Sequence, residues 1–218
     1  MNIILKARVG SHLYGLNTED SDEDYCGIFV RPLKELLGFG NEEETYVYKN
    51  PDTTYHELKK YMRLAAKGNP TLLELLFCPS YAISSPGGDL LINNREAFLS
   101  NHIRAAFGGY SYQQAIKLQK RTENGMIGFS PRTSKRTEKH ARHCFRLLRQ
   151  GRELMETGVL NPVVKDKDEL FAIGKLPVDQ IIKLFTEEYA DYQNVKSILP
   201  DEPDWNHLDE ILLKIRGV

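Results

Sequence analysis

The chain has 218 residues, 41% of them hydrophobic and 27% charged, with a formal net charge of −1. That length allows one large domain or two small ones, and the composition excludes a disordered polyelectrolyte. Near-neutrality excludes a partner selected by overall charge, yet it hides a segregation: residues 117–152 hold 11 basic and 2 acidic side chains, a balance of +9, whereas residues 153–218 hold 7 and 14.

In chain order, residues 3–9 (IILKARV) read as a short strand running into Gly10-Ser11, followed by a short helix or turn over 12–18. Residues 24–30 (DYCGIFV) are rich in β-formers and read as a second strand. The stretch from Arg31 to Asp52 carries turn signals and acids and reads as a connection with a short helix. Residues 52–57 (DTTYHE) alternate and predict a third strand, after which Leu58, Tyr61, Met62 and Ala65 fall at helical spacing. Gly68-Asn69-Pro70 stops that helix, and TLLELLF starts another. Pro86-Gly87-Gly88 reads as a loop. From residue 90 onward helical patterning dominates, with breaks expected at Gly108-Gly109, at ENGMIGFSPRTS (123–134) and at Pro162. The fold class expected is α+β. A small α/β part over 1–85 is followed by a helical part over 86–218.

Cys26, Cys78 and Cys144 are far apart, odd in number and form no CxxC pair, so neither a disulfide framework nor a zinc site is supported. A reducing cytoplasm is the expected compartment. The apolar run in MNIILKARVG is too short for a signal peptide. No apolar segment approaches the roughly 18 residues of a membrane span.

The densest chemistry lies at residues 19–24, where Glu19, Asp20, Asp22, Glu23 and Asp24 crowd together. In extended backbone Asp22 and Asp24 point to one side and Glu23 to the other. Two carboxylates side by side are unfavourable unless a divalent cation neutralises them. Oxygen ligands suit Mg²⁺ or Mn²⁺, and Mg²⁺ takes only one or two protein carboxylates beside phosphate oxygens. A calcium loop counted from Asp20 fails, because Tyr25 and Arg31 stand where Gly and Glu are needed. A lone DxD is ordinarily a solvated acidic turn. The Gly-Ser upstream, with Ser11 eleven residues before Asp22, is the added signal, since Gly10 lets backbone approach a ligand and Ser11 offers a hydroxyl.

GSHLYG followed by SDEDYCGIFV resembles the GS…G…SDxD signature of the DNA polymerase β-like nucleotidyltransferase superfamily, and most closely its RNA-ligase-associated branch, RlaP. DTTYHELKKYMRLAAKGNPTLLELLF and KHARHCFRLLRQGRELMETG resemble later motifs of that branch. The resemblance implies a small mixed-sheet nucleotidyltransferase domain packed with a helical domain. It implies that Gly10 and Ser11 bind the β- and γ-phosphates of an NTP, and that Asp22 and Asp24 hold two Mg²⁺ (or Mn²⁺). A third acid on a neighbouring strand would bind one metal and help deprotonate the acceptor hydroxyl. Asp52 is favoured because it lies early in its strand; Glu57, where the next helix begins, is the alternative. The implied reaction is transfer of an NMP from NTP to a hydroxyl, with an RNA end as acceptor. AMP transfer to a protein and a noncatalytic nucleotide-binding scaffold are the rivals.

On a helical wheel over 135–150, Lys139, Arg142, His143, Arg146 and Arg149 share one face, opposite Ala141, Cys144, Phe145 and Leu148, with Ser134 as N-cap. Few local acids are available to pair with them. Lys139, His143 and Arg146 are therefore expected to contact phosphate or RNA. His12 either reaches a phosphate or packs in its turn. Tyr14 is expected to pack. Glu74, if buried in its apolar helix, needs a partner, with Lys60 or Arg63 as candidates.

Overall fold

A computed structural model describes residues 1–39, 43–123 and 131–218. Its first part is a five-stranded mixed sheet in the order β3-β4-β2-β1-β5. Strand β1 (Asn2–Val9) pairs antiparallel with β2 (Asp24–Val30), with an irregularity between Ile3 and Leu5 that leaves Ile4 and Leu5 both buried. Strand β4 (Asp52–Glu57) lies parallel to β2, and β3 (Thr45–Tyr48) closes the edge antiparallel to β4. The short β5 (Ile83–Ser84) pairs with β1 on the opposite edge. A parallel β2–β4 pair needs a crossover, and the connection supplies it with α2 (Leu33–Leu37) and β3. β3 is the element that the sequence reading leaves inside a connection. It is a four-residue edge strand with Val47 and Tyr48 exposed, so it has no alternating buried face to betray it.

Helix α1 is the single turn Ser11–Tyr14. Helix α3 (Leu58–Ala66) buries Leu58, Tyr61, Met62 and Ala65, the predicted stripe. Helix α4 (Pro70–Leu75) is capped by Asn69, whose side chain accepts from Leu72 N, with Pro70 in its first turn. Pro86-Gly87-Gly88 proves to be the first turn of α5 (Pro86–Asn93), not a loop. Ser85 is its N-cap, and a side chain at Gly88 would strike the carbonyl of Ile4, so these small residues let the helix start close against β1.

The remaining helices are α6 (His102–Glu123), α7 (Pro131–Thr157), α8 (Lys167–Gly174), α9 (Val178–Gln193) and α10 (Trp205–Arg216). Helix α6 runs through Gly108-Gly109, where the expected break does not occur; the ring of Tyr192 on α9 packs at Gly108 instead. Helix α7 begins at Pro131, so Ser134 lies inside it and is not its cap. Of the break expected at 123–134, residues 124–130 lie outside the described residues.

The chain forms two compact units, Met1–His102 with Pro200–Val218, and Ile103–Leu199. The boundary expected at 85/86 falls inside the first unit, because α5, the turn after it and α10 pack with the sheet and its helices. Leu208 and Ile211 of α10 are buried, and Arg216 reaches both Glu57 (2.7 Å) and the carbonyl of Arg31 (3.3 Å). The second unit has its own core of Cys144, Phe145, Leu148, Leu170, Ile181, Phe185 and Tyr192. Each of the buried Phe, Leu and Ile side chains contributes about 1.5–3 kcal/mol. Cys26, Cys78 and Cys144 are free and buried, and burial pushes the Cys26 and Cys78 thiols up to about 12. Among the described residues no helix is long and apolar enough to cross a membrane.

Candidate active site

The end of β1 delivers Gly10 beside the start of β2, because Val9 is paired with Asp24. Gly10 has φ +69° and ψ −150°, a conformation open in practice only to glycine. A Cβ there would sit 2.6 Å from Asp24 Oδ2, so the Gly10 backbone lies directly against that carboxylate. Ser11 then opens α1, which is closed by Tyr14 N donating to Gly10 O (3.2 Å) and Leu16 N to Ser11 O (2.9 Å).

Asp24 and Asp52 are register partners on the parallel strands β2 and β4. Registered residues on neighbouring strands project from the same face, about 4.8 Å apart at the backbone. Gly10, Asp24 and Asp52 are thus gathered at one end of the sheet, with exposed Asp22 two residues before Asp24. Glu23 turns away, as strand alternation requires. Arg8 Nη1 donates to it at 3.0 Å and Tyr25 Oη at 3.3 Å, and these bonds, that from Arg8 first, hold it below the usual carboxylate range. Part of the acidic crowding is therefore relieved from within the chain. Asp52 faces Lys49 Nζ at 3.3 Å. Both are at least half exposed, and such a pair contributes under about 1 kcal/mol, so a divalent ion can displace it.

Glu57 is five residues beyond Asp52 on β4, so it belongs to the opposite face. It is 3% exposed, paired with Arg216 at 2.7 Å, and caps α3 by accepting from Lys59 N at 2.8 Å. Its carboxylate is committed to holding α10 and α3, whereas Asp52 shares a face with Asp24.

His12 is half-buried, with Nε2 3.3 Å from Ser21 O, which ties the Gly-Ser turn to the segment leading into the acids. Tyr14 packs as expected, and its hydroxyl donates to the fully buried Glu74 (Oε2, 2.8 Å). Lys60, a candidate partner for Glu74, instead faces Glu44 at 3.8 Å. The Arg8–Glu23, Lys49–Asp52 and Tyr14–Glu74 contacts are absent from the sequence reading. Only Lys49, three residues before Asp52 across a turn, left a local signal.

Among the described residues, no three His, Cys, Asp or Glu side chains form a ready-made metal cage. The donor set nevertheless suits a hard cation. Mg²⁺ characteristically takes one or two carboxylates and completes its shell with water and substrate phosphate oxygens. Asp24, Asp52 and Asp22 are the residues that would hold it.

The basic helix looks different from its wheel. Arg146 is 1% exposed and donates to Gln150 Oε1 at 2.5 Å, and its guanidinium also meets His143 Nδ1 at 3.2 Å. Arg149 is engaged by Asp166, by Glu169 at 2.8 Å and by Glu188 at 2.9 Å. Arg142 lies 4.5 Å from the Phe171 ring centroid and 3.5 Å from Glu138. The acids that the local sequence lacks come from α8 and α9, the acidic segment that follows. The expectation that Arg146 meets phosphate or RNA on an open face is corrected by its burial. His143 is half-buried, and burial, then Arg146, depresses its pKa well below the ordinary value. Lys139 alone of the three nominated residues is exposed.

The mixed sheet, the Gly-Ser turn and the two registered carboxylates occur in a chain whose sequence matches a polymerase beta family. The chain belongs to the RlaP family, the RNA repair pathway DNA polymerase beta family, whose model matches residues 1–186. It is 32% identical over 133 residues to an uncharacterized 38.9 kDa protein of Enterobacteria phage T4 from the nrdC–mobD intergenic region, covering 54% of this chain and 39% of that protein. It is 38% identical over 81 residues to the Bacillus subtilis (strain 168) protein YcgL, covering 35% of this chain and 30% of YcgL. The matches thus span about two fifths and under a third of these relatives' own lengths. A solved structure, a nucleotidyltransferase-like protein from Exiguobacterium sibiricum 255-15, is similar with a TM-score of 0.32 and 12% identity, covering 88% of this chain and 69% of that one.

Proposed function

We propose that the chain is a metal-dependent nucleotidyltransferase that moves an NMP from NTP to a hydroxyl, with an RNA end as acceptor. The observation that carries this reading is the register of Asp24 with Asp52, with Gly10 backbone against the Asp24 carboxylate. The acceptor oxygen bonds to the α-phosphorus as the α–β phosphoanhydride bond breaks, and pyrophosphate leaves. Gly10 and Ser11 give the triphosphate a backbone surface without side-chain obstruction, and the Ser11 hydroxyl donates to it. Asp22, Asp24 and Asp52 would hold Mg²⁺ or Mn²⁺, which would supply charge stabilisation for the attacking and leaving oxygens. Asp52, half exposed and, among the described residues, facing the weak Lys49 pair, is the group suited to take the acceptor proton. His12 positions the turn through Ser21. The family description is the support for RNA as the acceptor.

A second reading, AMP transfer to a protein, draws on the internal engagement of Arg142, Arg146 and Arg149, which removes much of the expected open basic face. Pyrophosphate release from each of the four NTPs, with Mg²⁺ or Mn²⁺ and with or without RNA, tests both. RNA-stimulated release that disappears in Asp22→Asn/Asp24→Asn is the expected result. Release independent of RNA, with label on protein, selects the second reading. Release that survives the double substitution refutes both.

A further inference from the structure

Strand β3 closes one edge of the sheet, and among the described residues no strand lies on its outer side. Glu57 N donates to Glu44 O at 2.9 Å, which fixes the alternation of the β3–β4 ladder. Glu44, Tyr46 and Tyr48 turn their backbone groups toward β4, so those of Thr45 and Val47 turn outward. A strand edge in this state is a template for another strand. Its side chains also lack cover, with Val47 63% exposed and Tyr48 50%. Helix α2 lies beside the same edge, because Arg31 reaches Glu35 of α2 at 3.6 Å and Tyr46 Oη at 3.5 Å, and also donates to Glu43 O. Three of the five residues of α2 are leucine, yet it buries none of them: Leu33, Leu36 and Leu37 are exposed, and exposed Phe39 follows.

We propose that this edge joins two copies of the chain, β3 against β3, antiparallel and about a two-fold axis at Tyr46. The charges select this partner. The acids Glu43 and Glu44 precede β3, and Lys49 follows it. Antiparallel pairing brings Lys49 of each copy to the Glu43-Glu44 end of the other. Parallel pairing would set like charges together at both ends, which is destabilising. Within one copy Lys49 faces Asp52 at 3.3 Å and Glu44 faces Lys60 at 3.8 Å, contacts with a half-exposed carboxylate that contribute under about 1 kcal/mol and can be exchanged. The backbone selects the register. Only the outward residues can exchange hydrogen bonds across the seam. With Tyr46 on the axis, Thr45 of each copy pairs with Val47 of the other, and both lie within the strand. Moving the axis to Val47 or to Thr45 would pair Thr45 with Lys49 or Val47 with Glu43, outside the strand. The contact uses the same patch on both copies, so it closes at two. The leucines of α2 beside the seam supply apolar surface for it to cover.

The test is sedimentation velocity of the full chain over a concentration series, without NTP, metal or RNA. A monomer–dimer equilibrium is expected. Val47→Pro removes an outward N–H at an edge position of the kind that tolerates proline, and should sediment as a monomer. Lys49→Glu sets acids together at both ends of the seam, and Glu43→Lys/Glu44→Lys sets cations together there. Each is expected to weaken the dimer by about 10-fold. An equimolar mixture of these two variants restores opposite charges at both ends and should sediment as a heterodimer. Leu36→Gln/Leu37→Gln should weaken the dimer as well. A parent that stays monomeric across the series overturns the inference. So does a dimer that persists unchanged in Val47→Pro or in the charge variants, or a mixture that stays monomeric while both charge variants keep the parent's melting curve. If Val47→Pro does not fold, the exposed charge variants and their mixture decide.

Discussion

Gly10 couples the Gly-Ser turn to Asp24, because any side chain at this position would meet the Asp24 carboxylate. Gly10→Ala forces both a disfavoured backbone and a displaced carboxylate. A stability loss of about 1–3 kcal/mol is expected from the backbone, together with loss of NTP-dependent turnover, measured by thermal melting and pyrophosphate release. Asp52 and Glu57 make a sharper pair. Asp52→Asn changes an exposed ion pair and should leave stability within about 0.5 kcal/mol while abolishing turnover. Glu57→Gln breaks a buried pair with Arg216 and should cost about 3 kcal/mol, with turnover retained by the fraction that stays folded. The opposite pattern refutes Asp52 as the third acid. The sequence held the means to separate them, since five positions along one strand puts two side chains on opposite faces. It did not hold the partner, because Arg216 lies 159 residues from Glu57 and no local pattern joins them. The turn at Gly10-Ser11 and the strand start at Asp24 were legible because their signals are local.

At the scale of elements, α7 shows how a charge pattern misleads when its partners are remote. Three of its basic side chains are satisfied by Glu138, Asp166, Glu169, Glu188 and Gln150. Arg149→Lys keeps the charge but loses the planar fork that meets three carboxylates. A loss of about 2 kcal/mol is expected, larger for Arg149→Ala, read from denaturant midpoints. Strands β2 and β4 were legible to the residue because β-formers are bounded by acids and turns. β3 was hidden by its exposure, and Gly108-Gly109 by the fact that a helix tolerates glycine where another helix packs against it. His140 and His143 give this unit a pH dependence. Both have folded pKa values below the unfolded 6.5, His140 at about 4, so between these values the unfolded chain binds more protons than the folded one. Their contribution is present above pH 6.5 and is lost as pH falls through the window towards 4. Melting temperature should decline over that range, and His140→Gln/His143→Gln should flatten the decline.

On the scale of the whole molecule, the first unit is assembled from two stretches of chain separated by the second unit. The sequence reading does not show this, since α10 falls within the helical patterning expected from residue 90 onward. Removing residues 204–218 deletes Leu208, Ile211 and Arg216 from the first unit and leaves Glu57 buried without that cation. Hydrogen exchange should then show protection falling first in β1, β2 and β4, and an intact pattern there would overturn the assignment of α10 to this unit. The discontinuity also carries a consequence for synthesis. On the ribosome β1, β2 and β4 emerge early, followed by the whole of a continuous second unit that can close on itself while translation proceeds. The sheet must wait for α10 before Glu57 meets its guanidinium. The first unit therefore matures after the second although its strands precede it in the chain, and a nascent chain stalled within α9 would carry a finished second unit and an unfinished first one.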